Sequence, residues 1–277
     1  MSEPPGIEEL QNIANKMRLD VIEMTTAAGS GHPGGSLSAA DLMAVLYFRV
    51  LHHAPDQPEM PDRDRFVLSK GHTAPVLYAA LAESGYFPKE ELLTLRKLGS
   101  RLQGHPARGH LPGIEVSTGS LGQGLSMACG IALAGKMDSK DYYTYCLLGD
   151  GELQEGQNWE AAMFAHHRGL NHLIAFVDRN RLQISGNTEE VMSMDPLPEK
   201  WHAFGWNVII IDGHNIRQIL EACAKAKESR KNPTVIIMNT VKGKGVSFME
   251  NNPDFHGRAC NPDEYQAAVA ELKAVIR

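Results

Sequence analysis

An aspartate between two glycines, Gly149-Asp150-Gly151, stands thirty residues before an asparagine, Asn180. Each follows a short apolar run, Tyr145-Cys146-Leu147-Leu148 in the first case and Leu173 to Val177 in the second. Glycine turns expose backbone N–H groups and helix N-termini favour anions, so loops of this kind suit a phosphate. A bare carboxylate at the same place would repel it. A hard divalent cation removes the conflict, because magnesium takes oxygen ligands and is commonly shared between one or two protein oxygens and phosphate oxygens. Asp150 offers a carboxylate, Asn180 an amide oxygen, and the backbone carbonyl of Leu182 a further oxygen. An Asp between glycines is, taken alone, ordinarily a turn former. The pairing with Asn180 at a second strand end is what makes it a candidate site.

Other chemistry-bearing loops follow apolar runs in the same way. Lys70-Gly71-His72 follows Phe66-Val67-Leu68, Asp212-Gly213-His214 follows Val208 to Ile211, and Lys242-Gly243-Lys244-Gly245 follows Val235 to Met238. Common nucleotide fingerprints are absent: there is no GxxxxGK[ST], and Gly122-Gln123-Gly124 lacks the third glycine of a dinucleotide loop. His52-His53, His166-His167 and His202 have no acidic neighbour at ligand spacing, which argues against zinc.

The elements that must carry these loops are legible from periodicity. Ile7, Leu10, Ala14, Met17, Val21, Met24 and Ala28 recur at helical spacing, and Gly29 is placed to end that helix. Residues 30 to 35 are too glycine-rich for a regular element, and Ser38 is placed to cap a helix through Leu42, Val45 and Leu46. A helix runs through Leu77 and Leu81, and one of small residues ends near Lys136. Strands at 66–68, 145–148, 173–177, 208–211 and 235–238 then alternate with helices at 159–167, 201–204 and 216–226, and a last helix covers about 262–276. Alternation of this kind predicts an α/β fold: a parallel sheet with helices on both faces, its ligands beyond the carboxyl ends of the strands.

The bulk composition agrees. The 277 residues carry a formal net charge of -6, against the basic surplus of nucleic-acid binders, and 43% hydrophobic residues allow a sizeable core. No apolar stretch is long enough to span a membrane, and the polar start Met1-Ser2-Glu3-Pro4-Pro5-Gly6 lacks a signal-peptide core. Cys129, Cys146, Cys223 and Cys260 are scattered without a CxxC, which fits a reducing, cytoplasmic setting.

Together with its neighbours, the GDG-to-Asn spacing resembles the diphosphate-binding motif of thiamine diphosphate enzymes. Gly31-His32-Pro33, Leu68-Ser69-Lys70-Gly71-His72, Gln103-Gly104-His105-Pro106, Thr118 to Gly124, Leu148 to Glu152 and His256-Gly257 occur in the order seen in transketolases. Deoxyxylulose-phosphate synthases have a different His loop and lack the Ser-Lys-Gly-His form. The resemblance implies a thiamine diphosphate-binding fold across one domain, residues 1–277. It implies Mg2+ (Ca2+ or Mn2+ as substitutes) on Asp150, Asn180 and the Leu182 carbonyl. Cofactor contacts would come from Gly119, Ser120, Leu121, Gly151 and Asn180, with Lys70, His72 and Lys242 towards the phosphates. His32, His105 and His256 would face substrate, where neutral imidazoles can serve sugar hydroxyls and proton transfers. Glu155 and Glu160 would lie near a subunit interface.

In this family a glutamate from a pyrimidine-binding domain activates the cofactor, and no residue here matches it. The resemblance therefore implies the N-terminal subunit of a split transketolase, completed by a C-terminal subunit in an α2β2 heterotetramer. It would transfer a two-carbon ketol unit between sugar phosphates in the pentose phosphate pathway. Met1 and the helical end favour a natural short gene over a truncated piece. The competing readings are a ketol transferase for an unusual sugar, a two-subunit 2-oxo acid decarboxylating enzyme, and a catalytically silent cofactor-binding or regulatory subunit.

Overall fold

The computed structural model describes residues 4–277; Met1, Ser2 and Glu3, at the head of the polar start, lie outside the described residues. Its main sheet holds β1 (Arg65–Leu68), β2 (Thr144–Gly149), β3 (Leu173–Arg179), β6 (Asn207–Asp212) and β7 (Thr234–Asn239). All neighbours are parallel and the order is β1-β2-β3-β7-β6. The register sets Gly149 beside Asp178 and Asp178 beside Met238, so β2, β3 and β7 finish level with one another. Three loops thereby leave the sheet side by side. A short antiparallel pair, β4 (Leu182–Gln183) and β5 (Gly186–Asn187), follows β3 and was not foreseen from the sequence, being only two residues long on each side.

Both faces of the sheet are covered, as the unbroken apolar strands require. One face presents Phe66, Leu68, Tyr145, Leu147, Ile174, Phe176, Ile236 and Met238. These pack with α1 (Ile7–Ala28), α2 (Pro33–Val45), α3 (Ala74–Glu83), α8 (Ile216–Lys227) and α9 (Pro262–Val275). The intervening residues, Val67, Cys146, Leu148, Ala175, Val177, Val235 and Ile237, meet α4 (Gln123–Met137), α5 (Gly156–His167) and α7 (Leu197–Ala203) on the other face. A five-residue helix, α6 (Thr188–Met192), follows the small hairpin. Each large aliphatic side chain so enclosed contributes about 1.5–3 kcal/mol, and the alternation of faces fixes the strand register.

Two local expectations are corrected. The stretch from Pro33 to Gly35 is helical, not irregular: Pro33 opens α2, where its missing N–H costs nothing. Glycine serves close packing here. A Cβ on Gly34 would stand 2.9 Å from the carbonyl oxygen of Phe255, and one on Gly35 would stand 2.9 Å from Cγ2 of Thr73. Ser38 consequently sits inside α2, donating to the Gly35 carbonyl at 3.1 Å and to Asp178 at 2.7 Å, and caps nothing. Every residue of α2 is buried, so tertiary packing overrides glycine's poor helix propensity. Among the described residues no helix is long and apolar enough to cross a membrane.

Candidate functional site

A cavity of about 250 Å³ opens at the carboxyl ends of β1, β2 and β3, and Lys70, His72, Leu121, Asp150, Gly151, Asn180, Leu182, Lys242 and His256 line it. Loops from four strand ends meet here. The fifth does not: His214, after the edge strand β6, turns away to Asp41, its Nδ1 2.8 Å from that carboxylate and its Nε2 accepting the Val241 N–H at 2.8 Å. Lys244 pairs with Glu250 instead of facing the cavity.

The oxygens expected to hold a cation gather where the turn after β3 meets the GDG loop. Asp150 accepts from the N–H of Gly151 at 2.8 Å and of Arg181 at 2.5 Å. Asn180 Oδ1 accepts from Leu182 N–H at 3.1 Å, and the Leu182 carbonyl accepts from the Lys242 ammonium at 2.8 Å. Arg181 has a left-handed φ of 61°, a strained state for a residue with a side chain, of the order of 1 kcal/mol. It lets the chain reverse between Asn180 and Leu182. Burial, and then the nearby charge of Asp178, push the Asp150 carboxyl up to about 6. A buried acid with a second acid behind it is an electrostatic fit for a divalent cation, and carboxylate, amide and carbonyl oxygens are the donors magnesium prefers.

The histidines converge. His32 lies 5.2 Å, ring centroid to centroid, from His72 and 5.6 Å from His256; His72 stacks on His256 at 5.2 Å. His105 is 6.5 Å from His32. Burial, reinforced by neighbouring cations, lowers His32 to about 4 and His256 to about 3, and lowers His72 and His105 as well. The four rings are therefore neutral near pH 7 and able both to donate and to accept. Lys242, lowered by burial to about 8, donates towards Nδ1 of His256 at 2.8 Å, which fixes the tautomer with its proton on Nε2.

Glycines close the loops around this cluster. A Cβ on Gly71 would meet Thr118 Oγ1 at 2.6 Å and Gly119 N at 2.7 Å, and one on Gly119 would meet His105 Cδ2 at 2.9 Å. Leu121 reaches the cavity wall, whereas Ser120 is exposed on the outer side of its loop. Glu155 also borders the cavity, and Glu160 is exposed on α5.

Sequence reasoning missed the supports beneath these groups. Lys70, expected towards phosphate, is 2% exposed and pairs with Asp178 while donating to the Gly35 carbonyl at 2.8 Å. Asp178, a buried acid directly after the apolar run Leu173 to Val177, was the available signal. Glu152 is the second. Its carboxylate accepts from Ser69 Oγ, from Gly122 N–H at 3.0 Å and from Gly149 N–H at 3.0 Å, tying three loops together.

A family model described as transketolase, thiamine diphosphate binding domain, matches residues 9–273. The chain belongs to this family. It is 49% identical over 265 residues to a 6-deoxy-6-sulfo-D-fructose transketolase subunit of Clostridium sp. (strain MSTE9), covering 96% of each. To one of the apulose-4-phosphate transketolase subunits of Phocaeicola vulgatus it is 45% identical, covering 97% of this chain and 94% of the relative. The solved transketolase of Campylobacter jejuni superposes with a TM-score of 0.92 at 35% identity, covering 97% of this chain but 43% of that one. The chain thus matches separate subunits over nearly their whole length and spans less than half of the longer enzyme. Two-carbon ketol transfer is the general reaction of transketolases.

Proposed function

We propose that the chain is the diphosphate-binding subunit of a two-subunit transketolase, its described residues folded as a single domain. Asp150, Asn180 and the Leu182 carbonyl hold Mg2+, with Ca2+ or Mn2+ as substitutes. Gly151, Asn180, Lys242, His72, Lys70 and the Gly119-Ser120-Leu121 loop hold thiamine diphosphate. The observation that carries this reading is the meeting, in one cavity, of an all-oxygen donor set, a buried lysine and the neutral rings of His72 and His256, with His32 packed against both. When bound, the cofactor supplies the electron sink for breaking and making the carbon–carbon bond. His32, His105 and His256 orient the sugar hydroxyls and move protons at them, which neutral imidazoles can do in either direction.

A separate subunit with the pyrimidine-binding domain and the activating glutamate completes the site, in an α2β2 heterotetramer. Relatives that are themselves separate subunits support this. Donor and acceptor are a ketose phosphate and an aldose phosphate of the pentose phosphate pathway. The setting is cytoplasmic; free cysteines, three of them buried, support a reducing compartment. A net charge of -6 supports neither nucleic acid nor an anionic membrane surface as partner. A second reading, ketol transfer on an unusual sugar, is favoured by the names of two relatives, which specify a sulfofructose and apulose 4-phosphate.

Mixing the chain with its partner, Mg2+ and thiamine diphosphate tests both readings. Turnover of xylulose 5-phosphate with ribose 5-phosphate is expected. Turnover only with other ketoses would select the second reading, and no turnover with any ketose would reject both.

A further inference from the structure

Asp178 is fully buried at the carboxyl end of β3, and its carboxylate gathers donors from four segments. They are the Lys70 ammonium after β1, the Ser38 hydroxyl of α2 at 2.7 Å, the Thr240 hydroxyl after β7, and Nδ2 of Asn180 at 3.3 Å. The last contact matters most. An amide can be turned either way in its plane, presenting oxygen or NH2 to a given side. A carboxylate only accepts, so Asn180 must turn its NH2 inward to Asp178. Its oxygen is then left on the other side, where it accepts from Leu182 N–H at 3.1 Å. The Lys70 pair offsets the cost of burying the Asp178 charge, and removing one partner of such a pair is strongly unfavourable.

We propose that Asp178, paired with Lys70, is the positioning residue of the cation site, setting the Asn180 amide so that oxygen and not NH2 meets the metal. This rests on the reading of Asp150, Asn180 and the Leu182 carbonyl as the cation's ligands. Lys70 thereby acts on the cation through Asp178. Groups that orient a metal ligand from behind typically change metal affinity 10–100-fold when altered.

Asp178→Asn keeps the shape and weakens the compulsion. Lys70, Ser38 and Nδ2 of Asn180 all meet Oδ2 of Asp178, and Thr240 meets Oδ1. In that variant one neutral amide oxygen serves three donors, and it holds the Asn180 NH2 less firmly than a carboxylate does. The chain reconstituted with its partner subunit is titrated with Mn2+ at saturating thiamine diphosphate, and free Mn2+ is read by electron paramagnetic resonance. Asp178→Asn is expected to raise the Mn2+ Kd about 10–100-fold. In an Asn180→Ala background the same change is expected to cost several-fold less, since the part that runs through Asn180 is gone and the lost charge of Asp178 is what remains. A merely structural role would weaken Mn2+ equally in both backgrounds, and that result overturns the proposal, as does an unchanged Kd. Asp150→Ala is run alongside. If it leaves the Kd unchanged, the ligand assignment itself fails, whatever Asp178 does. Should Asp178→Asn not fold, Ser38→Ala replaces it: a weaker Kd confined to the Asn180 background supports the proposal, and equal effects or none reject it.

Discussion

The ammonium of Lys242 lies 2.8 Å from the carbonyl oxygen of Leu182 and 2.8 Å from Nδ1 of His256, joining the oxygen set to the histidine cluster through one buried cation. At 3% exposure this charge has few other partners, and it is adjacent to where phosphate oxygens are proposed to lie. A hydrogen bond to a charged group is worth about 1.5–3 kcal/mol. Lys242→Met should therefore weaken thiamine diphosphate binding by at least about tenfold, measured by calorimetry on the reconstituted enzyme; an unchanged affinity would remove Lys242 from the phosphate side.

Metal stabilisation should depend on pH through Asp150. Its folded-state carboxyl is raised to about 6 from the usual 3.8, so the stability this group contributes is present at low pH and lost as pH rises through about 6. A bound cation relieves the ionised form. The rise in Tm produced by Mg2+ with thiamine diphosphate should be larger at pH 7.5 than at pH 5.5, and Asp150→Asn should flatten that difference. Equal shifts at both pH values would contradict it.

The histidine cluster has the opposite sign. His32 and His256, lowered by burial to about 4 and about 3, stay neutral in the folded chain while the unfolded chain protonates near 6.5. Their contribution is present above about 6.5 and lost as pH falls towards 4. Asp20, raised by burial to about 7, acts against this slope, so the informative quantity is a difference. Urea midpoints of wild type and of a His32→Gln, His256→Gln pair, taken from pH 7.5 to 5, should diverge as pH falls, with wild type losing more. Parallel curves would show that these rings are not held neutral.

Gly71 is the position where the two site loops touch backbone to backbone. Ala there would drive a methyl group to 2.6 Å from Thr118 Oγ1 and 2.7 Å from Gly119 N. Overpacking of this kind costs about 1–3 kcal/mol. We expect Gly71→Ala to lower the unfolding free energy by that amount in chemical denaturation and to weaken cofactor binding as well. A fully stable variant would mean that the loops can part without loss.

The architecture was legible because parallel strands buried on both faces are short apolar runs, and because their ends carry loops of an unlike composition. The GDG turn, Asn180 and the histidines were visible as residue types that a core does not need. The supports were hidden for a different reason. Asp178 draws on Ser38, which lies 140 positions away, and His214 on Asp41, 173 positions away. No local pattern encodes such partners. The left-handed Arg181 was equally hidden, since an arginine gives no sign of a positive φ and the carboxylate that accepts its N–H lies 31 positions away. Gly34 and Gly35 misled because glycine signals both flexibility and close approach, and only the neighbouring Phe255 and Thr73 decide between them.

Helix α2 has no face towards solvent, and that sets the mechanical tolerance of everything hung on it. His32 stands at its N-terminus, Ser38 braces Asp178 from its middle, and Asp41 receives Arg18 and His214 a turn later. A close-packed rod cannot slide or rotate by a fraction of an ångström without repacking its surroundings. Its three attachments therefore move together or not at all. Hollowing the interior at Leu37 or Leu42 would be felt as lost alignment among all the groups hung on the helix.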